Sequence, residues 1–198
     1  MASKIIVDQL EKTGGALTAL TLPTGNASAG QVLQNDGSGN LSWAADAGGL
    51  FASYAIIVDQ KTTNVGGGTF TSGAWQTRDL QTEVTDPDAI VTISTNEFTL
   101  AAGSYLIRWS APGYRVLEHK TRLYDVTGTA VIQAGLSAKA LDDVETISNG
   151  SARVTPSGSN AYKIEHRCAT TRASDGFGEA SNFSTPEIYT SVEIFKES

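Results

Sequence analysis

Two histidines, one cysteine and two pairs of aspartates are the residues of this chain whose types and spacing could carry chemistry. His166 and Cys168 are separated by one residue, so on a β-strand both side chains would lie on one face and could share a metal ion. The chain has no second cysteine and only one further histidine, His119, which leaves few ligands for a zinc site. We therefore predict that these are packed strand residues, and we expect neither a metal nor a cofactor.

Paired carboxylates occur at Asp86/Asp88 and at Asp142/Asp143, and such pairs serve glycosidases and calcium sites. Asp86-Pro87-Asp88 is also an ordinary turn sequence, and the second pair lies in a polar segment typical of a solvated loop. The histidines lie in neither a Gly-x-Ser-x-Gly nor a His-Glu-x-x-His context. We therefore predict that the protein is not an enzyme and has no catalytic residues. A polysaccharide-cleaving enzyme is kept as a third hypothesis.

The charge balance disfavours nucleic acids and anionic membrane surfaces as partners. The 198 residues include 14 Lys and Arg but 21 Asp and Glu, a formal net charge of −7, so no broad basic surface is available to displace counterions. The apolar run after Met1 covers only residues 5–7, which is too short for a signal peptide or a membrane span. We expect synthesis in a reducing cytoplasm and no membrane insertion.

Residues 1–50 are rich in Gly, Ala, Thr, Ser and Asn and poor in large apolar side chains. Ordering the backbone costs about 1–2 kcal/mol per residue, and the small apolar clusters of this segment cannot offset that cost alone. We therefore expect other chains to cover these clusters, which makes the segment an extended, β-rich docking stem whose order depends on oligomerisation. The residues expected to make the docking contacts are Ile5, Ile6, Val7, Leu10, Leu33, Leu41 and Trp43.

A hairpin is predicted within this stem. Residues 31–33 are β-prone, residues 35–40 supply turn chemistry with two glycines, and residues 41–43 are again β-prone. The following Gly/Ala-rich residues 44–49 predict a flexible joint. The predicted boundary between the stem and the next domain therefore lies after residue 50.

Residues 51–198 contain a series of short β-prone runs separated by turn signals, and no convincing amphipathic helix. Alternation is clear in residues 105–109, where Tyr105, Ile107 and Trp109 share one face. The segment predicts an all-β sandwich or jelly roll. The residues expected to pack in its core or in a trimer are Tyr105, Trp109, Tyr124, Ile164, Tyr189 and Val192.

Three segments of this part resemble the head of the complement-q and tumour-necrosis-factor (TNF-like) jelly-roll superfamily. They are residues 98–112 (FTLAAGSYLIRWSAP), residues 119–128 (HKTRLYDVTG) and residues 187–197 (EIYTSVEIFKE). They match the superfamily in an aromatic residue after a glycine, an Arg-Leu-Tyr strand and a closing strand of alternating aromatic and aliphatic residues. The resemblance implies a homotrimer packed around a threefold axis, with both ends of the head near its base. The collagen-like Gly-x-y stretch of secreted complement-type proteins is missing from the sequence.

The front part resembles the virion-proximal stems of bacteriophage fibre proteins, in residues 2–15 (ASKIIVDQLEKTGG) and residues 30–45 (GQVLQNDGSGNLSWAA). This resemblance implies a virion protein whose residues 1–50 bind other virion proteins. The first hypothesis is a non-enzymatic homotrimeric fibre whose head adheres to a glycan or protein of the host surface. The alternative is a purely structural capsid decoration, head fibre or tail-connecting protein without receptor binding, and the sequence does not separate the two.

Aromatic and arginine side chains on exposed loops suit the recognition of sugars or proteins. The segment of residues 111–120 is predicted to be such a loop, and its candidate receptor residues are Tyr114, Arg115 and His119. Trp75 and Arg78 lie on a second predicted loop, although Trp75 fits a core position equally well.

Overall fold

The structure is a computed structural model that describes residues 9–10, 20–46 and 51–197. Every regular secondary-structure element within those ranges is a β-strand. None of the described residues forms a helix that could cross a membrane. The chain divides into two compact units, Met1–Gly48 and Gly49–Ser198. The roles of these units in docking and display stay predictions.

The first unit contains two antiparallel strand pairs. Strand β1 (Gln9–Leu10) pairs with β2 (Leu20–Thr21), and β3 (Gln31–Asn35) pairs with β4 (Leu41–Ala45). The turn between β3 and β4 is organised by the Asp36 carboxylate, which accepts hydrogen bonds from the backbone N–H groups of Ser38 at 2.7 Å and Asn40 at 3.1 Å. The turn residues thus form the hairpin that their sequence predicts.

The second unit is a sandwich of two antiparallel sheets. Its strands are β5 (Phe51–Lys61), β6 (Gln76–Thr77), β7 (Thr82–Thr85), β8 (Val91–Ser94), β9 (Glu97–Leu100), β10 (Tyr105–Tyr114), β11 (Leu117–Asp125), β12 (Ala130–Ala140), β13 (Glu145–Val154), β14 (Asn160–Cys168) and β15 (Glu187–Glu197). One sheet has the order β13-β10-β15-β5-β7, and the other has the order β12-β11-β14-β9-β8 with β6 paired to β14. The last strand, β15, therefore lies between β10 and β5. This sheet is complete only when the C-terminal strand of the unit is in place. The predicted all-β sandwich is confirmed.

The core lies between the two sheets and follows the alternation of the strands. In β10 the side chains of Tyr105, Ile107 and Trp109 are buried, whereas Arg108 between them is exposed. Burial of apolar surface at about 25 cal/mol per Å² is the main favourable contribution of such a core. Further side chains that are fully buried in this core are Phe98, Leu100, Leu123, Ile164 and Ile194.

Trp109 connects the two sheets. Its ring packs against the backbone of Gly150, the opposed residue of β13, and a Cβ atom at that position would overlap the ring. Its indole Nε1–H donates a hydrogen bond of 2.8 Å to Oγ1 of Thr121 in the facing sheet. Thr121 Oγ1 in turn lies 2.8 Å from Ser148 Oγ. The buried indole is therefore satisfied only when the two sheets are packed together.

Candidate functional site

The outward face of the five-stranded sheet carries a partly exposed apolar row. Phe195 of β15 lies between Leu106 of β10 and Tyr54 of β5 in the sheet register. Tyr54 is 47% exposed, and the ring centroid of Phe51 lies 4.9 Å from that of Phe195. We call Phe51, Tyr54, Ile56, Leu106 and Phe195 the assembly face. An apolar patch of this kind in the middle of a sheet is typical of a protein–protein contact.

Charged residues border this apolar row. Arg108 and Glu193 are opposed on β10 and β15, with 3.4 Å between the Arg108 Nη1 and Glu193 Oε2 atoms. At the end of the row, Arg153 donates from Nε to Glu197 at 2.7 Å. Interfaces between subunits commonly combine an apolar centre with such a polar rim.

The outward face of the other sheet contains a groove of about 580 Å³. Its floor includes Lys120 of β11 and Arg167 of β14, and one wall is formed by Trp75 together with Ser72 and Gly73. Lys120 and Arg167 are opposed in the sheet register. We call this feature the cationic groove.

Beside the groove, Arg122 holds Trp75 in place. The guanidinium carbon of Arg122 lies 4.1 Å from the centroid of the Trp75 ring, within the range of a cation–π interaction. The Nη2 atom of Arg122 lies 2.6 Å from Oε2 of the buried Glu165. The Nζ atom of Lys163 lies 3.1 Å from Oε1 of the same carboxylate. Arg122 and Lys163 are therefore both paired with one carboxylate.

Arg78 is completely buried at one end of the sandwich. Its guanidinium donates hydrogen bonds to Thr190 Oγ1 at 2.7 Å, to the carbonyl of Phe177 at 2.9 Å and to the carbonyl of Pro112 at 3.3 Å. Burial lowers the pKa of Arg78 to about 10, so the side chain stays charged at neutral pH. The residue links the loop around Phe177 to both β10 and β15 and has a structural role, which corrects its predicted place on an exposed loop.

A pair of buried imidazoles lies beside this arginine. His119 Nδ1 is 2.8 Å from His166 Nε2, and His119 Nε2 is 2.7 Å from Thr146 Oγ1. His166 Nδ1 is the one buried side-chain N or O atom of the described residues that lacks a hydrogen-bond partner. Burial, with a further contribution from Arg78, lowers the pKa of His119 to about 4 and that of His166 well below its ordinary value. Both rings are therefore neutral at pH 7.

The prediction of an exposed receptor loop at Tyr114, Arg115 and His119 is wrong. Tyr114 is the last residue of β10 and is only 5% exposed, and His119 lies within β11 and is 3% exposed. Pro112 and Gly113, which belong to the predicted loop, continue the pairing of β10 with β13, so the connection to β11 is only two residues long. Only Arg115 is partly exposed, and it forms ion pairs with Asp142 and Asp143 in the connection between β12 and β13.

The residues predicted for packing lie on the inner side of the sandwich, with one exception. Tyr105, Trp109, Ile164 and Val192 belong to the core. Tyr189 is also buried, and its hydroxyl donates to the Val65 carbonyl at 2.7 Å. Tyr124 instead lies on the outward face of β11, where Arg122 and Lys163 approach its ring. Tyr54, Ile56, Leu106 and Phe195 of the assembly face alternate with core residues of their strands, and this pattern could have indicated them. Phe51 lies beyond a register shift of β5 against β15, so alternation alone does not place it.

Several predicted docking residues lie outside the described part of the chain, namely Ile5, Ile6 and Val7. Leu10 belongs to β1, and Leu33 of β3 is 46% exposed. Leu41 and Trp43 of β4 are half-buried, and the Trp43 indole donates to the Gly25 carbonyl at 2.6 Å. Their role in docking stays a prediction.

The carboxylate pairs serve turns and ion pairs. The Asp86 carboxylate accepts hydrogen bonds from the backbone N–H groups of Ile90 at 2.9 Å and Val91 at 3.0 Å. Asp142 and Asp143 face Arg115. Within the described ranges, no group of three or more His, Cys, Asp and Glu side chains is arranged to hold a metal ion.

Comparison with known proteins shows the fold. No protein-family model matches the sequence, and no curated protein is significantly similar to it. The chain is similar to the solved structure of Eiger TNF from S. frugiperda, with a TM-score of 0.51 and 11% identity over 74% of this chain and 92% of that chain. Two further similar structures are the globular domain of zebrafish complement 1qA protein (TM-score 0.49, 14% identity, 72% of this chain and 95% of that chain) and murine APRIL at pH 8.5 (TM-score 0.49, 9% identity, 73% and 98%). The sandwich of the second unit is a TNF/C1q-like jelly roll.

Proposed function

We propose that this protein is a non-enzymatic, homotrimeric bacteriophage virion appendage. Residues 1–50 anchor it to the particle, and the jelly roll of residues 51–198 is displayed for adhesion to the host surface. The assembly of several copies is supported by the assembly face, because its aromatic and aliphatic side chains are half-buried or exposed in the centre of a sheet whose other face already forms the core. The resemblance to TNF-like and complement-q heads implies three copies.

Three assembly faces arranged around one axis bury this row against neighbouring subunits. The proposal requires no rearrangement of the sandwich, because the core side chains of β10 and β15 point to the opposite side. Burial of such a row stabilises an oligomer at about 25 cal/mol per Å² of apolar surface, less the cost of association.

The ends of the jelly roll support attachment from one side. Phe51, at the start of β5, is paired with Glu197, at the end of β15. The described head thus begins and ends at the same end of the five-stranded sheet. The other end of the sandwich is then available to face outward.

Adhesion by such a trimer acts through multivalency. Three heads on each appendage, and several appendages on each particle, convert weak individual contacts into strong attachment when the sites can be engaged together. Weak contacts of this kind require no deep pocket in the single head.

Three measurements on the full-length chain test this proposal. Sedimentation velocity is expected to give a trimer, and antibodies against the chain are expected to label intact particles of the phage that encodes it. Excess purified protein is expected to reduce adsorption of those particles to host cells. A monomer in solution or unlabelled particles would overturn the proposal, whereas labelled particles with unchanged adsorption would favour the purely structural alternative.

Removal of residues 1–50 tests the anchoring role separately. The shortened chain is expected to stay folded and trimeric, because the core and the assembly face both lie in the second unit. It is expected to be missing from particles assembled in its presence. Normal incorporation of the shortened chain would show that the docking assignment is wrong.

A further inference from the structure

In the cationic groove two positively charged side chains lie next to each other, and the packing of the sheet does not explain this. Lys120 and Arg167 are opposed residues of neighbouring strands, and like charges in that position destabilise a sheet. Throughout residues 9–10, 20–46 and 51–197, no carboxylate lies within ion-pair distance of either cation. Both side chains line the same open groove.

The other cations on this face all have ion-pair partners. Arg122 and Lys163 share the buried carboxylate of Glu165, and Lys139 lies 2.7 Å from Glu118 at the groove margin. Lys120 and Arg167 on the groove floor are thus the two described cations of this face that have no ion-pair partner, and the Arg122–Glu165–Lys163 group adds one further net positive charge beside them.

An aromatic wall stands beside this charge, and the structure fixes its position. Trp75 lines the groove while Arg122 stacks on its ring. The adjoining loop is tied down at Ser72, whose backbone N–H donates to Thr171 Oγ1 at 2.9 Å. A rigid aromatic side chain next to a few polar or charged groups is the usual composition of a small-ligand site.

We propose that the cationic groove binds an anionic saccharide. A sugar ring packs against Trp75, and a carboxylate or phosphate substituent pairs with Lys120 and Arg167. This inference rests on the proposed function, since it names the ligand class by which the displayed head would adhere to a host surface. The guanidinium of Arg167 can hold such a substituent through two parallel hydrogen bonds, while the ammonium of Lys120 adds a point charge.

Charge distribution favours a saccharide over a nucleic acid. The outward face of β11, β12 and β14 carries five of the chain's 14 Lys and Arg residues, whereas the chain as a whole has a net charge of −7. A long polyanion that extended beyond this face would meet the part of the chain that carries the excess of Asp and Glu. A saccharide with single acidic substituents needs only the groove itself.

Calorimetric titration of the full-length chain at low salt tests this proposal. The probes are tri-galacturonic acid, its methyl ester, a phosphorylated trisaccharide, inorganic phosphate and a single-stranded oligothymidylate. At least one acidic trisaccharide is expected to bind about tenfold or more tightly than the methyl ester and than phosphate alone. The proposal is overturned if neither acidic trisaccharide binds. It is also overturned if the methyl ester or phosphate binds as tightly as the acidic trisaccharides, or if the oligonucleotide binds more tightly than they do.

Substitutions locate the site. Lys120→Gln and Arg167→Gln are each expected to weaken binding of the acidic trisaccharide about tenfold without lowering the melting temperature, because each removes one of two repelling charges. The matched control is Arg115→Gln, which removes the same charge outside the groove and is expected to change binding less than twofold. An equal loss in the control overturns the assignment.

Trp75→Ala is expected to weaken binding by a similar factor. If that variant unfolds because Arg122 loses its stacking partner, the two cation variants decide the outcome. A trimer that is present on particles but binds neither acidic trisaccharide overturns this inference alone. Absence from particles overturns the virion assignment whatever the titrations give.

Discussion

The imidazole rings of His119 and His166 form a direct contact of 2.8 Å inside the sandwich, with Arg78 close enough to act on both. A hydrogen bond between two imidazoles requires that one nitrogen donates and the other accepts, so the pair cannot hold two protonated rings in this arrangement. At least one of the two rings must therefore stay neutral in the folded sandwich.

The first prediction concerns acid sensitivity. Both histidines have folded-state pKa values below those of the unfolded chain, so the unfolded state binds more protons and stability falls as pH drops below about 6.5. One pKa unit corresponds to about 1.4 kcal/mol, and 1 kcal/mol shifts the melting temperature of a domain of this size by about 2–4 °C. We expect the melting temperature to be flat from pH 7 to pH 8 and about 8–16 °C lower at pH 5.

Glu145 acts in the opposite direction, because burial raises its pKa and its contribution to stability is lost as pH rises through the folded value. His119→Gln serves as the control, since it leaves one histidine to titrate and should roughly halve the slope of stability against pH. A melting temperature that stays constant from pH 7 to pH 5 would show that the buried pair accepts protons freely.

The second prediction concerns the packing of Trp109 on β13. Gly150→Ala places a methyl group inside the space of the indole ring, so either strand or ring must move. We expect a loss of about 2 kcal/mol or more in the free energy of unfolding, as for overpacking in a dense core. The control is Gly158→Ala, where nothing lies within 4 Å of the added atom and stability should change by less than about 0.5 kcal/mol. Equal stability of the two variants in urea denaturation would refute the role of Gly150.

The third prediction concerns the buried arginine. Arg78→Met removes the donors for two backbone carbonyls and the Thr190 hydroxyl, and each buried acceptor left unpaired costs about 1–3 kcal/mol. We expect the free energy of unfolding to fall by about 3 kcal/mol or more, and Arg78→Lys to recover only part of it, because one ammonium cannot reach all three acceptors. Arg115→Met, which breaks partly exposed ion pairs, is expected to cost about 1 kcal/mol or less. Comparable losses in Arg78→Met and Arg115→Met would contradict this account.

The fourth prediction concerns the assembly face. Tyr54→Arg places a charge in the apolar row between subunits, so the oligomer is expected to dissociate at micromolar concentration while the far-ultraviolet circular dichroism of the jelly roll is unchanged. Leu136→Arg on β12 is the control, since this exposed side chain belongs to the other sheet. Sedimentation velocity distinguishes the outcomes. A Tyr54→Arg protein that sediments like the unaltered chain would show that this face is not an interface.

The sequence predicted the fold class because alternation in β10 and β15 reports directly which side chains face a core. The same rule failed at Pro112 and Gly113, where turn-prone residues continue a strand. Gly113 is required there by close packing, since a Cβ atom would lie 2.9 Å from Val116 and 3.1 Å from the His119 ring. At these two positions a tertiary contact outweighs the local preference for a turn. β10 therefore continues, and the predicted receptor loop does not form.

Some properties were fixed by the residues alone, because they depend only on composition and on spacing within one strand. These properties are the β-rich character, the hairpin of residues 31–45, the small number of large apolar side chains in residues 1–50 and the net negative charge. Pairing between distant strands could not be inferred in this way. Only the tertiary structure brings Lys120 opposite Arg167 and joins His119 to His166. The pattern within one strand shows which side chains face the core, but it does not show which distant strand lies beside it.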